Sequence, residues 1–194
     1  MEGRPLEEAE LVERAKRGDA DAYSLLVQQH QELVVRAVYL IVRDAAEAED
    51  VAQEAFVRAY LALQRFRSGA PFRPWLLKVA TNEALNRRKA AERHSARAER
   101  AARVRPSGDA APSPEAAALQ AEQRGALERA LDGLRQPERL AIIYRYVLEI
   151  SEAETAAILG CPPGTVKSRL SRGLQQLRLR LTADPALDRG PDHG

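Results

Sequence analysis

Sulfur, aromatic residues and long apolar runs are all scarce in this chain. A single cysteine, Cys161, excludes any intramolecular disulfide, so nothing argues for an oxidising compartment. No apolar run approaches the roughly 20 residues that span a bilayer. Met1-Glu2-Gly3-Arg4-Pro5 leads into acidic residues rather than a signal-peptide core. A cytoplasmic protein without membrane insertion is expected. One cysteine and three scattered histidines make no metal or nucleophile set, so no catalytic residue, metal site or cofactor is expected either. Charge of one sign is lacking too: 30 basic residues against 28 acidic leave +2. That is too little for indiscriminate nucleic-acid binding, so inference about partners rests on where the charge is placed.

What is present is helical patterning. The chain is organised around Ser151–Arg172, which reads as a helix-turn-helix. Ser151 and Glu154 have the spacing of a capping box, Leu159-Gly160-Cys161 supplies a short turn, and Pro163 suits the first position of a second helix. Pro162, placed before a proline, is pushed out of helical geometry and becomes the cap. Val166, Leu170, Leu174, Leu177 and Leu181 then form one apolar stripe. The opposite face carries Thr165, Ser168, Arg172 and Gln175, flanked by Lys167 and Ser171 on one side and Arg169 on the other. From Cys161 to Ala183 there are five basic residues and no acid. A cationic face with short polar donors, after a tight turn, is suited to the major groove of duplex DNA. The alternative is a solvated basic helix in an ordinary bundle.

The chain before it divides into helices. Leu6 to Arg17 is a short one stopped at Gly18, with Leu11, Val12 and Ala15 inward. Asp19 caps a long amphipathic helix from Tyr23 to Val42, on whose buried face His30 reads as a core or rim histidine. Asp44 and Glu47 open a third, with Val51, Ala55, Phe56, Ala59, Tyr60 and Leu63 expected inside. Its first turns carry Glu47, Glu49, Asp50 and Glu54. Acids there complement the helix dipole, but four exceed what capping needs. A docking surface for a basic partner is the other explanation. Pro74 then starts a helix on which Trp75, Val79, Asn82 and Asn86 share one narrow stripe. Either these amides are buried and paired, or the stripe opens onto a polar ligand. With Phe66, Phe72, Arg87, Arg88 and Lys89 the set would suit single-stranded nucleic acid, where aromatics and amides hold bases and cations track phosphates. Between Arg87 and Arg105 lie eight basic residues and two acids.

Pro106–Pro114 has the composition of a flexible linker. The expected fold is therefore all-α: two small helical domains joined by a flexible linker, the second containing the helix-turn-helix. The boundaries fall at 6–100 for the first domain, 101–116 for the linker, 117–182 for the second domain and 183–194 for a disordered tail. Within the second, helix returns at about Glu115 and Pro137 starts another carrying Leu140, Ile143, Tyr144, Val147 and Leu148.

These residues together resemble the bacterial RNA polymerase sigma factors of the sigma-70 family, extracytoplasmic-function group. Asp50-Val51-Ala52-Gln53-Glu54-Ala55-Phe56 looks like the family's polymerase-clamp-binding segment. Phe66 through Lys89, with Trp75-Leu76 and Asn82, looks like its promoter-melting and minus-ten-reading segment. Leu134–Arg139 and Gly164–Leu170 look like its C-terminal domain, which reads the minus-thirty-five box. Ser171 stands where relatives often have a bulkier residue, and the Pro162-Pro163 pair is unusual. The resemblance implies a non-enzymatic specificity subunit whose partners are core RNA polymerase, promoter DNA and an anti-sigma factor. It also implies three residue sets. Glu49, Asp50, Gln53 and Glu54 would bind polymerase; Phe66, Trp75, Asn82, Asn86, Arg87 and Arg88 would meet the opened minus-ten strand; Thr165, Lys167, Ser168, Arg169, Ser171 and Arg172 would meet the minus-thirty-five duplex. The competing function is a helix-turn-helix repressor or activator whose first domain dimerises, which should bind operator tightly alone. An enzyme with an appended DNA domain lacks a catalytic constellation.

Overall fold

A computed structural model of the chain describes residues 7–101, 127 and 129–182, of which 94–101 by their backbone alone. The start of the second domain, most of the expected linker and the tail at 183–194 lie outside these residues. Among the described residues every regular element is a helix.

The first, α1 (Glu8–Lys16), turns Leu11, Val12 and Ala15 inward and gives way at Gly18, whose φ of +91° a side chain would strain. Asp19 caps α2 (Ala20–Val42): its Oδ1 accepts from the Ala22 N–H at 3.0 Å while Oδ2 holds Arg14 Nε at 2.9 Å. The third helix, α3 (Ala45–Ala62), starts the same way, with Asp44 Oδ1 accepting from the Glu47 N–H at 2.7 Å. A 3-10 turn over Leu63–Arg65 and a bend at Gly69 lead into α4 (Phe72–Ala101). Helices α2, α3 and α4 pack pairwise, with α1 laid against α2. Ala48, Ala52, Ala55 and Ala59 on α3 and Ala80 and Ala84 on α4 are all buried, so backbones can approach closely where no large side chain separates them. His30 lies at the rim of this core with its Nε2 2.8 Å from Glu8 Oε1 and its ring against Phe72, as expected for a satisfied histidine. Tyr60 departs from the periodic pattern. It is exposed and stacks on Tyr23, whose hydroxyl donates to the Phe56 carbonyl at 2.6 Å, so the pair closes the edge of the core.

In the second domain, residues 129–132 end a helix. Next come α5 (Gln136–Ile142), a π-helical turn over Ile143–Val147, α6 (Glu152–Leu159) and α7 (Pro163–Thr182). Ser151 caps α6, accepting from the Glu154 N–H at 3.3 Å. The Glu154 carboxylate takes up the Ser151 hydroxyl at 2.7 Å rather than its N–H, so the expected capping box closes through side chains. After α6 the Cys161 N–H reaches the Ala156 carbonyl at 3.1 Å and the Gly160 N–H that of Ala157, while Gly160 sits at φ +60°. This is the Schellman ending, and the left-handed residue it requires is the reason for glycine. Pro162, just before α7, accepts from Thr165 N–H at 2.9 Å and Val166 N–H at 3.3 Å, as expected for the residue that opens the helix. One part of the apolar stripe is corrected: Leu174 is exposed, and Gly173 is buried in its stead. A Cβ on Gly173 would lie 2.8 Å from Ile142 Cδ1 and 3.1 Å from Glu138 Cβ, so α7 crosses α5 at this glycine and the contact line runs through Val166, Leu170, Gly173 and Leu177.

The two domains share a core. Ile143, Tyr144, Leu148, Ile150 and Ile158 belong to the same buried cluster as the first domain, and α6 packs directly on α4. Polar contacts line the seam. Arg73 grips Glu154, with Nε 3.0 Å from Oε1; Arg36 Nη2 donates to the Val147 carbonyl at 3.2 Å; and Tyr144 meets Thr81 at 2.5 Å.

Candidate nucleic-acid interface

The element expected to meet duplex DNA is α7. A tight left-handed turn fixes where it begins and the Val166–Leu170–Gly173 line fixes its roll, so the residues half a turn away must face out. Lys167, Ser168, Ser171 and Arg172 are exposed, and Thr165 and Arg169 are half-buried. The six side chains expected at the duplex are thus presented together over the first three turns. They are also partly tied down. Ser168 donates to the Thr165 carbonyl at 3.0 Å, Arg169 Nη1 rests on Cys161 Sγ at 3.4 Å, Lys167 Nζ is 3.9 Å from Glu152, and Arg172 Nε is 3.5 Å from Glu138.

The second face is α4 with the turn before it. Phe66, Phe72 and Trp75 form one aromatic cluster, with Phe66 and Trp75 centroids 4.8 Å apart and Phe66 edge-on to Phe72 at 5.8 Å. Phe66 and Phe72 are buried and Trp75 is half-exposed, so Trp75 is the ring of the cluster that offers surface. Asn82 and Asn86 are exposed, which decides between the two readings of the stripe: its amides open outward rather than pairing within the core. Arg87 and Arg88 already hold carboxylates, Arg87 Nη2 on Glu54 at 2.7 Å and Arg88 Nε on Glu92 at 2.9 Å. Any phosphate they meet must compete with those pairs. Of the basic run beyond Arg93, the side chains lie outside the described residues.

The third face is acidic. Glu49, Asp50, Gln53 and Glu54 are all exposed along α3. Glu49 and Gln53, with Glu32 and Arg36, also line an open groove of about 800 Å³ between α2 and α3, whose floor includes Val27, Val35, Ala52 and Phe56. The apolar floor and the exposed acidic face beside it together suit an amphipathic basic helix. The ion pair from Glu54 to Arg87 joins this face to the α4 face, a link the sequence did not disclose.

Sequence periodicity also missed residues that matter to these faces. Glu138, which no pattern singled out, is buried under α7. Glu154, expected only as a capping-box partner, and Arg73, which no pattern singled out, bind the domains together. Burial pushes the Glu154 carboxyl up, but hydrogen bonds from Arg73 and Ser151 overcome this and hold it below the usual carboxylate range.

The chain is similar to known proteins over most of its length. Residues 26–94 match the model of sigma-70 region 2 and residues 124–177 that of sigma-70 region 4. The chain is 36% identical over 177 residues to the RNA polymerase sigma-H factor of Pseudomonas aeruginosa, covering 88% of this chain and 92% of that protein. It is 36% identical over 173 residues to the ECF RNA polymerase sigma-E factor of Escherichia coli strain K12, covering 86% and 90%. The sigma factor RpoE of Bartonella quintana, solved in complex with the anti-sigma factor NepR, has the same fold at a TM-score of 0.62 and 23% identity, covering 84% of this chain and 98% of that one.

Proposed function

The chain belongs to the extracytoplasmic-function group of the sigma-70 family, and on that premise we propose how its three faces divide the work. It is a DNA-binding initiation factor that directs RNA polymerase to promoters. It works without catalysis of its own, in the compartment where polymerase works, the cytoplasm.

The acidic face of Glu49, Asp50, Gln53 and Glu54 docks on a basic helical surface of core polymerase, with the apolar floor of the adjoining groove taking the partner's apolar side chains. The exposed α7 face reads the minus-thirty-five duplex. Lys167, Ser168, Ser171 and Arg172 address base edges, where a bidentate arginine contact to guanine is the strongest single discriminator. Arg169, from its flank, meets phosphate. On α4, Asn82 presents a donor and an acceptor to a base of the opened minus-ten strand, and Trp75 offers a ring for stacking. Flipping a base costs a few kcal/mol, which a shaped, polar contact must offset. The observation that carries this reading is the α7 face: a turn and a core line fix its roll so that the polar and cationic side chains project together.

The names of the two promoter elements place them about 25 base pairs apart, roughly 85 Å of B-form duplex. Domains packed as closely as α4 and α6 cannot span that, so polymerase must separate them. The buried Tyr144–Thr81 contact is what parts. An anti-sigma factor, like the one bound to the Bartonella quintana protein, would instead hold such surfaces out of reach.

Co-purification with core polymerase, followed by run-off transcription from a library of upstream elements, tests the assignment. Sequence-selective transcripts that depend on both chain and core are expected. Tight operator binding by the chain alone, without polymerase, would instead favour the repressor reading.

A further inference from the structure

Glu138 has no evident reason to be a carboxylate. It is 3% exposed, beneath the point where α7 crosses α5, and Gly173 is what lets the helices close over it. An acid in such a place is costly unless its charge is matched. Its neighbour Arg139 does not match it, because Arg139 Nη1 is committed to Asp132 at 2.6 Å. The cation that reaches Glu138 is Arg172, from the recognition helix: Nε lies 3.5 Å from Oε1, while Oε2 is buried and finds no hydrogen-bond partner among the described residues.

The geometry of that pair has a consequence for reading DNA. Arginine recognises guanine through two parallel N–H bonds from a planar fork. With Nε 3.5 Å from Glu138 Oε1, an ion pair longer than a hydrogen bond, the guanidinium is drawn inward electrostatically at its inner edge. Its outer edge stays in solvent, as the 58% exposure of the side chain shows. A long side chain with many rotamers is thereby restricted before it meets a base, and restricting a binding group in advance raises affinity and selectivity together. The charge, not merely the volume, of Glu138 is what does this.

We propose that Glu138 is a positioning residue for upstream-element recognition: from a buried site on α5 it pre-orients Arg172 on α7, and so contributes to base discrimination without touching DNA. This deepens the reading of α7 above and rests on it.

The test uses holoenzyme assembled from core polymerase and the full chain, scored on a library of upstream elements. The variants are Glu138→Gln, which keeps shape and loses charge, Glu138→Ala, Arg172→Ala and the double variant Glu138→Gln with Arg172→Ala. Glu138→Gln should lower discrimination roughly three- to tenfold at the base pair Arg172 reads, less than losing the arginine itself, and leave preference at other positions and core binding unchanged. The double variant should match Arg172→Ala, because the two act through one contact. If Arg172→Ala shifts preference at one base pair while Glu138→Gln does not, the positioning role is overturned and the reading of α7 stands. An equal loss at every position in Glu138→Gln also overturns it, since that is what a purely structural residue would give. If Arg172→Ala itself leaves preference unchanged, the base-reading role fails and the positioning role with it.

Discussion

Tyr144 Oη and Thr81 Oγ1 lie 2.5 Å apart in a buried contact between the two domains, and Thr81 fixes which of them donates. The threonine has one hydroxyl proton and gives it to the Leu77 carbonyl at 2.6 Å, so the phenol must donate and the threonine accept. The second domain is thereby latched to α4 by the proton of a fully buried tyrosine.

That proton sets an alkaline limit. Burial pushes the Tyr144 phenol up to about 12. A phenol raised in the folded state stabilises fully below its unfolded value of about 10 and loses that contribution as pH climbs through its folded value. Stability should therefore fall between about pH 10 and pH 12, by on the order of 2–3 kcal/mol from Tyr144. Tyr144→Phe should flatten the drop, leaving the share of Tyr23, also pushed up to about 12 by burial. Denaturant melts across that range would refute this if the wild-type curve were flat.

Glu154 sets an acid limit at the same seam. Its carboxyl is held low, so its pairing with Arg73 contributes above the usual carboxylate value of about 4.3 and is lost as pH falls through the lowered folded value. Arg73 is 43% exposed on its side chain, so the contribution should stay under about 1 kcal/mol. Fluorescence transfer between labels on α2 and α7 should show the domains parting more readily in acid, and Glu154→Gln should remove the dependence. A wild-type signal indifferent to pH from neutrality to pH 3 would count against it.

Reversing charge on the acidic face should abolish docking without unfolding it. Asp50→Arg combined with Glu54→Arg is expected to lose core polymerase in pull-down while keeping a native helical spectrum. Because Glu54 also holds Arg87, Asp50→Arg alone should keep that ion pair and still bind weakly. Retention of core by the double variant at wild-type level would remove this face from consideration.

On α4, Asn82→Ala should impair strand opening while leaving duplex recruitment intact. Permanganate footprinting reads opening directly, and electrophoretic shift of the closed complex reads recruitment. Equal reactivity of unpaired thymines in variant and wild type would place the base contact elsewhere.

Base readers and phosphate clamps on α7 should separate by salt. Arg172→Ala is expected to cost roughly 1–3 kcal/mol on a preferred upstream element and to relax preference at one base pair. Arg169→Ala should weaken binding about equally on all sequences and lower the salt slope by roughly one unit. Titrations of holoenzyme at two salt concentrations distinguish them, and identical behaviour of the two variants would contradict the division.

The helices and their faces were legible because local rules decide them. Asp19, Asp44, Ser151, Gly160 and Pro163 mark ends that depend on a few neighbouring backbone groups, and the α7 face follows once Val166 and Leu170 are seen to point inward. Where local periodicity misled, a neighbour across space had decided. Leu174 lost its place because α7 closes on Ile142 through Gly173, and a glycine gives no apolar signal in a sequence. Tyr60 stays outside because Tyr23 offers it a ring at the edge.

The sequence by itself determined the class of fold, the turn that launches α7, and the residue types gathered on each exposed helix face, since each rests on spacing along one helix. Tertiary structure alone decided which charges meet. Arg73 with Glu154, Arg87 with Glu54 and Arg172 with Glu138 are separated by 81, 33 and 34 residues, and no periodicity links them. Burial and pairing depend on how helices cross, so the latch between the domains and the acid beneath Arg172 exist only once the chain has packed.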